Sequence, residues 1–488
     1  MRSKLVIRLI GVSLLLVAAM MLVASIVGFV YGSDPSAVPL LFSALIVGIF
    51  GAFPQIFVRN SGQNHRITSR EGYYIVVGSW SFACIFGMIP YLMYGGEFSF
   101  INALFESVSG FTTTGASILN DIEALPRGLL FWRMSTSWMG GIGIVALFSL
   151  VLPASSGNGA VLTGVEVSGI ARDDAATRER SLVGMMVTTY ISMTVILAIL
   201  LKLLGLGWFD SVTHAMSTMS TCGFSTRNAS IAAFDSVPVE MLISLFMFLA
   251  SVNFCLIYSI FTRNKQRNVF QSEVARSYFF CVLACVLLVG LNLFFHKSYG
   301  SFGECLRRSV FQVCSICSTT GFATADTNIW PATSILILIF CSFVCGCSGS
   351  TSGGMKFDRL HVAYKSIKNK LASLSNPNQV NIIKIEGRPI SEARVSDSKT
   401  YIIFYVLLVI VGAIWNTLWG LDLQTAFSAS FACVGNVGPG FGEVGSVCNY
   451  SSLPGIVKFS SSLLMLLGRL EMFSLLFVLG IYPRKKKI

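Results

Sequence analysis

Charge is scarce in this sequence. Asp, Glu, Lys and Arg make up 12% of it, against 54% hydrophobic residues. Soluble domains carry about 25% charged residues, so an ordinary water-soluble fold is excluded. Histidine is scarcer, with 4 scattered in 488 residues. That leaves no His cluster for zinc, and the apolar runs hold no paired carboxylates for acid–base catalysis. A membrane-embedded enzyme is thereby excluded. The 13 cysteines lack paired extracellular spacing, which excludes a disulfide framework; Cys345 and Cys347 form a lone C-x-C. The "GNVGPGFG" run lacks the G-K-[ST] ending of a phosphate-binding loop. The net charge of +12 does not point to nucleic acid, because the basic residues gather in loops between apolar runs.

What the sequence has is apolar runs of about 20 residues, the length a helix needs to cross roughly 30 Å of hydrocarbon. Spans are expected at 5–31, 38–58, 72–94, 128–152, 181–205, 237–262, 277–296, 330–371 (interrupted), 400–420 and 453–482. This is an all-α polytopic membrane protein. The run Leu5–Tyr31 exceeds a signal-peptide core of about 7–15 residues and reads as a retained helix. With both termini inside, most of the 35 Lys and Arg fall on inside segments, the tail "RKKK" at 484–487 among them.

Four shorter segments, 100–117, 209–225, 304–323 and 422–442, cannot span. They end in "TTGAS" (113–117), "TCGFS" (221–225), "TTGFA" (319–323) and "NVGPG" (436–440). Their glycines, Gly115, Gly223, Gly321 and Gly438, lie 108, 98 and 117 residues apart. Packing glycines recur every four residues within a helix; these recur once per helix–re-entrant loop–helix unit. A dehydrated monovalent cation needs several oxygens in place of its water, and backbone carbonyls on converging loops supply them. Glycine reaches the required backbone angles without a Cβ clash. A short pore helix aims its negative C-terminus at the cation.

On these four motifs the chain resembles the TrkH/KtrB superfamily of potassium transporters, over essentially its whole length. The two extra N-terminal helices, 5–31 and 38–58, place it on the TrkH side. The resemblance implies four pore repeats around a pseudo-fourfold pore: an extension 1–71, then repeats at 72–153, 154–263, 264–375 and 376–488. It implies potassium as the transported ion and no organic cofactor. It assigns the filter to Thr113, Thr114, Gly115, Thr221, Cys222, Gly223, Thr319, Thr320, Gly321, Asn436, Val437 and Gly438. In plant and fungal relatives a serine at the first filter glycine goes with sodium permeation; glycine at all four positions favours potassium. It further implies a homodimer with one pore per protomer, a cytoplasmic nucleotide-binding partner of the TrkA type and a bacterial inner membrane.

The eighth span is broken by "CGCSGSTSGGMKFDR" (345–359). Each mid-helix glycine costs about 1 kcal/mol, and irregular backbone at membrane depth must be shielded from lipid. The resemblance makes 345–355 an intramembrane gating loop under the filter, with Gly346, Ser348, Gly349, Ser350, Thr351, Gly353 and Gly354. Arg469, mid-helix in "LLGRLEMF", costs about 2.5–3.5 kcal/mol to insert and should face protein or water. It is expected to hold the loop by its carbonyls and to raise a barrier in the pore. Its i,i+2 neighbour Glu471 points to another face and is not its partner.

His214 and Asn253 read as packing or hydrogen-bond fillers. Asp121, Glu123, Asp235, Asp326 and Glu443 follow the filters on the outer side, as a cation-concentrating mouth or a solvated surface. The function expected is channel-like, potassium-selective uptake driven by the membrane potential, at about 2.3 kcal/mol per charge per 100 mV. The alternatives are a less selective monovalent cation transporter and a carrier for a solute such as ammonium.

Overall fold

The computed structural model describes residues 3–32, 34–58, 69–143, 179–261, 269–375 and 382–470. Two helices precede the repeats, α1 (Ser3–Val30) and α2 (Ala37–Phe57). Gly11 and Gly51 let them touch backbone to backbone; a Cβ on Gly11 would come within 2.8 Å of Gly51 O.

Repeat 1 is α3 (Ser69–Gly87), the short α4 (Ile89–Tyr94), the pore helix α5 (Phe100–Phe111) and α6 (Arg127–Ile142). Repeat 2 is α7 (Glu179–Leu203), pore helix α8 (Trp208–Ser220), α9 (Val237–Ala250) and α10 (Phe254–Phe261). Repeat 3 is α11 (Glu273–Phe295), pore helix α12 (Phe302–Cys317), α13 (Ala332–Val344) and α14 (Phe357–Ser375). A small hairpin, β1 (Lys384–Ile385) against β2 (Arg388–Pro389) with Lys384 opposite Pro389, leads to repeat 4. That repeat is α15 (Glu392–Leu418), pore helix α16 (Leu423–Gly435) and α17 (Gly455–Arg469).

Local signals delimit these elements. Ser99, Ser301 and Asp422 cap three pore helices by accepting from the amides of Asn102, Glu304 and Thr425. Pro126, Pro238, Pro331 and Pro454 open the helix after each filter, where a missing N–H costs nothing. The pore helices are exposed at their first residues, Phe100, Trp208, Phe302 and Leu423, and buried toward the loops, hydroxyls included, while the outer spans expose apolar faces such as Ile49, Phe280, Leu288 and Val411. This is the burial a bundle has when lipid surrounds it and the polar centre is shielded.

Six described helices are long and apolar enough to cross a membrane, and one bent pair makes a seventh. α13 is apolar but has only 13 residues. The expected spans 128–152 and 453–482 run beyond residues 143 and 470 and lie partly outside the described residues. The expected single span 237–262 is corrected: α9 and α10 meet at 108°. The segment 345–356 wedges into the break and takes over its hydrogen bonds, Cys347 N donating to Ser251 O (2.8 Å) and Phe254 N to Gly349 O (3.1 Å).

Candidate functional site

Every pore helix runs into its polar loop in the same way. The first loop amide donates to the carbonyl three residues back: Thr113 to Gly110 (2.9 Å), Thr221 to Thr218 (3.1 Å), Thr319 to Ile316 (3.0 Å), Asn436 to Cys433 (3.3 Å). The next amide reaches five back: Thr114 to Ser109, Cys222 to Ser217, Thr320 to Ser315, Val437 to Ala432, all between 2.8 and 3.1 Å. The chain therefore turns left-handed at the first loop residue, with φ of 54°, 56°, 58° and 52°, and again at the glycine, with φ of 79°, 83°, 81° and 93°. One backbone shape is drawn four times by different side chains. Non-glycine residues held left-handed cost about 1–3 kcal/mol each and persist where the surroundings over-determine them.

The four loops close into a ring. A Cβ added to Gly115 would strike the carbonyl oxygen of Cys222; one on Gly223 would strike Thr320 O, one on Gly321 Val437 O, and one on Gly438 Thr114 O. Each glycine thus lies against the carbonyl before the next repeat's glycine, and the fourth returns to the first. That cyclic order is what a pseudo-fourfold axis requires. Stacked carbonyl rings on such an axis can replace the hydration shell of a monovalent cation.

Two charges that the sequence reading passed over brace this ring. Arg133 (α6) donates Nε to Glu106 (α5) at 2.5 Å, with side chains 1% and 0% exposed. Glu106 also accepts from Ser117 Oγ and from Ile118 N, both at 3.1 Å, just after the first filter. Arg133 donates to Ser225 O after the second filter and stacks 3.6 Å from the Phe224 ring centroid. The pair therefore ties the first polar loop to the second. Between repeats 2 and 3, Glu240 (α9) accepts from Arg307 at 2.6 Å, and within repeat 3 Arg308 donates to Thr324 O at 2.6 Å. A charge inside the apolar runs "FESVSG" and "LLFWRMS" was the available signal. His214 is the filler expected, its ring bonded to Asp210 O and Ser225 Oγ.

The segment 345–356 packs against the side where the loops begin. Gly353 N donates to Thr319 Oγ1 (2.8 Å), and a Cβ on Gly353 would meet Gly435 O at 2.6 Å. Thr351 Oγ1 donates to Met219 O (2.9 Å). Gly346 O accepts from Phe357 N (2.9 Å). Gly354 lies against Cys345 Sγ, Ser350 pairs with Ser352, and Ser348 N donates to Asp358. Asn253, expected to be filler, sits at the α9–α10 break and donates to Ser348 O (2.9 Å). Arg469 donates to Thr351 O (2.8 Å), Gly140 O (2.6 Å) and Gly141 O (3.1 Å). Glu471 lies outside the described residues. A cavity of about 70 Å³ adjoins the segment, lined by Gly141, Phe254, Thr351, Gly353, Gly468 and Arg469 among others.

At the opposite end, Asp121, Glu123, Asp235 and Glu443 are exposed and Asp326 is half-buried. Hydrogen bonds from Asn228 Nδ2 (2.9 Å) and from the amides of Ala124 and Glu123 hold the Asp121 carboxyl below its ordinary value. Among the described residues, no group of three or more His, Cys, Asp or Glu could hold a metal ion.

Residues 44–486 match the family profile TrkH, described as a cation transport protein. The chain is 32% identical to the Trk system potassium uptake protein TrkH of Vibrio parahaemolyticus, over 98% of this chain and 99% of that one. It is 30% identical to the protein of the same name from Halomonas elongata, over 97% and 98% of the two chains. The crystal structure of the potassium transporter TrkH from Vibrio parahaemolyticus superposes with a TM-score of 0.87 at 30% identity, covering 98% of this chain and 99% of that chain.

Proposed function

The chain belongs to the TrkH family of cation transport proteins, and we propose that it is a potassium-selective, channel-like uptake transporter. The observation that carries this reading is the closed cycle of glycine-to-carbonyl contacts from Gly115 through Cys222, Thr320 and Val437 back to Thr114. The relatives' names, Trk system potassium uptake protein, supply the ion. Carbonyls of Thr113, Thr114, Gly115 and their counterparts act as ligands in place of water, and the ion moves down its electrochemical gradient. No bond of the cargo is made or broken, so the protein is not an enzyme.

In the same reading the segment 345–355 is the gate, resting on Thr319 and latched by Arg469, whose charge also opposes cations in the pore. The repeats divide near 72–153, 154–263, 264–375 and 376–488. The protein lies in a bacterial inner membrane with both termini cytoplasmic, where the basic inside segments belong. The family resemblance makes it a homodimer, and nucleotide control falls to a TrkA-type partner, since the longest inside segment, 355–399, is too short to be a nucleotide-binding domain.

Purified protein in liposomes tests the reading by rubidium uptake competed with potassium, sodium, lithium and ammonium. Block by potassium with weak block by sodium supports it. Equal block by sodium makes the protein a general monovalent cation transporter, in keeping with loops that share only the glycine. Preferential block by ammonium would make it a carrier for that solute.

A further inference from the structure

The four loops are alike in backbone and unlike in what stands behind them. In repeats 1 and 3 a pore-helix serine holds the carbonyl that follows the filter glycine: Ser109 Oγ donates to Ala116 O (2.6 Å) and Ser315 Oγ to Phe322 O (2.7 Å). Repeat 4 has Ala432 at that position, and an alanine side chain donates nothing. Its brace comes from Tyr450, whose hydroxyl donates to the carbonyl of the filter glycine itself, Gly438, at 2.9 Å.

Tyr450 is held firmly. It is 2% exposed, its ring lies 5.2 Å from that of Phe105 on the first pore helix, and its amide donates to Ser117 O (2.8 Å). Among the described residues, no side chain donates to the carbonyls of Gly115, Gly223 or Gly321. Gly438 is buried, where the other three filter glycines are half-buried.

We propose that Tyr450 is a specificity-determining residue that pins the Gly438 carbonyl and keeps the filter from closing around a small cation. This rests on the reading of the four loops as a potassium filter. A carbonyl oxygen has two lone pairs, and the tyrosine occupies one. The oxygen is then fixed at hydrogen-bond length from a packed ring, and its remaining field is weaker. Sodium is smaller than potassium and more tightly hydrated, so it needs its oxygens closer and their field stronger. Both effects of the hydroxyl disfavour sodium.

Tyr450→Phe removes only the hydroxyl. Parent and variant are reconstituted in liposomes, rubidium uptake is competed with potassium and with sodium, and the ratio of half-blocking concentrations is read. Sodium is expected to compete better in the variant, the ratio shrinking about two- to tenfold, the range one net hydrogen bond is worth. An unchanged ratio with uptake retained overturns the proposal and leaves the filter reading standing. A parent that does not discriminate overturns both. A merely structural role would lower uptake without moving the ratio. Replacement by 3-fluorotyrosine covers a phenylalanine variant that does not fold, because it keeps the ring's shape and strengthens the donor. Its discrimination should exceed the parent's; a ratio at or below the parent's overturns the proposal.

Discussion

Arg469 donates to the carbonyl of Thr351 at 2.8 Å, so the last described helix latches the broken span of repeat 3 across 118 residues of sequence. The same guanidinium reaches Gly140 O and Gly141 O at the end of α6. One planar fork thus joins repeats 1, 3 and 4 beneath the filter, which a flexible ammonium could not copy. Arg469→Ala should free the loop and remove a positive charge from the path. Rubidium uptake should rise at least about tenfold, since hydrogen bonds to a charged group are worth about 1.5–3 kcal/mol each. Arg469→Lys should fall between. A liposome flux assay reads both, and lower uptake in folded Arg469→Ala protein would contradict the latch.

Gly353 seats the segment 345–356 on the first residue of the third polar loop, Thr319. A Cβ there would crowd Gly435 O and Asn436 Cβ at 2.6 and 2.7 Å, and the Gly353 N–H bond to Thr319 Oγ1 would lengthen. Gly353→Ala should therefore push the loop off its seat and give uptake that no longer depends on a regulatory partner. Comparing flux with and without that partner checks it.

Gly223 tests the ring. Its φ of 83° is strained for any other residue, and a Cβ would occupy the space of Thr320 O. Gly223→Ser should displace the third loop's carbonyl and reduce the preference for potassium over sodium, with the protein still recovered from membranes. A packing glycine would behave in the opposite way, losing yield and keeping selectivity.

Glu106 and Arg133 form a fully buried pair. Removing one partner leaves an uncompensated charge, at about 3–5 kcal/mol. Arg133→Met should lower the melting temperature sharply, and adding Glu106→Gln should recover part of the loss. Additive losses in a thermal melt would mean the two act separately.

The Asp121 carboxyl is held below its ordinary value, first by its hydrogen bond from Asn228. A depressed carboxylate stays charged above its folded pKa and loses that charge only as pH falls through it. Uptake should therefore not vary through Asp121 between about pH 5 and 8. Asn228→Ala should raise the pH at which the Asp121 carboxyl titrates; a pH series of flux measurements that moves to higher pH with it makes Asp121 part of a cation-concentrating mouth, and an unmoved series makes it solvated surface.

Much of this architecture was legible in the chain. Run length set the spans, and the four glycines announced the loops, because hydrophobic length and backbone freedom are properties of a few adjacent residues. Arg469 stood out for the same reason, a charge in an apolar helix. The bend between α9 and α10 did not, since "LASVNFCL" carries no proline or glycine. Its cause is the loop from repeat 3, roughly a hundred residues away, that wedges into the break. Glu106 and Arg133 were visible as isolated charges, but only packing made them partners.

The sequence by itself determined that this is a membrane bundle of four re-entrant repeats, each with one glycine able to turn left-handed. Tertiary structure alone decided that the glycines close into a ring, that Gly353 rests on Thr319, and that Tyr450 holds Gly438. Local pattern depends on neighbours along the chain. Ring closure, the seat of the 345–356 segment and the tyrosine's hydrogen bond depend on which distant carbonyls meet once the apolar faces are satisfied.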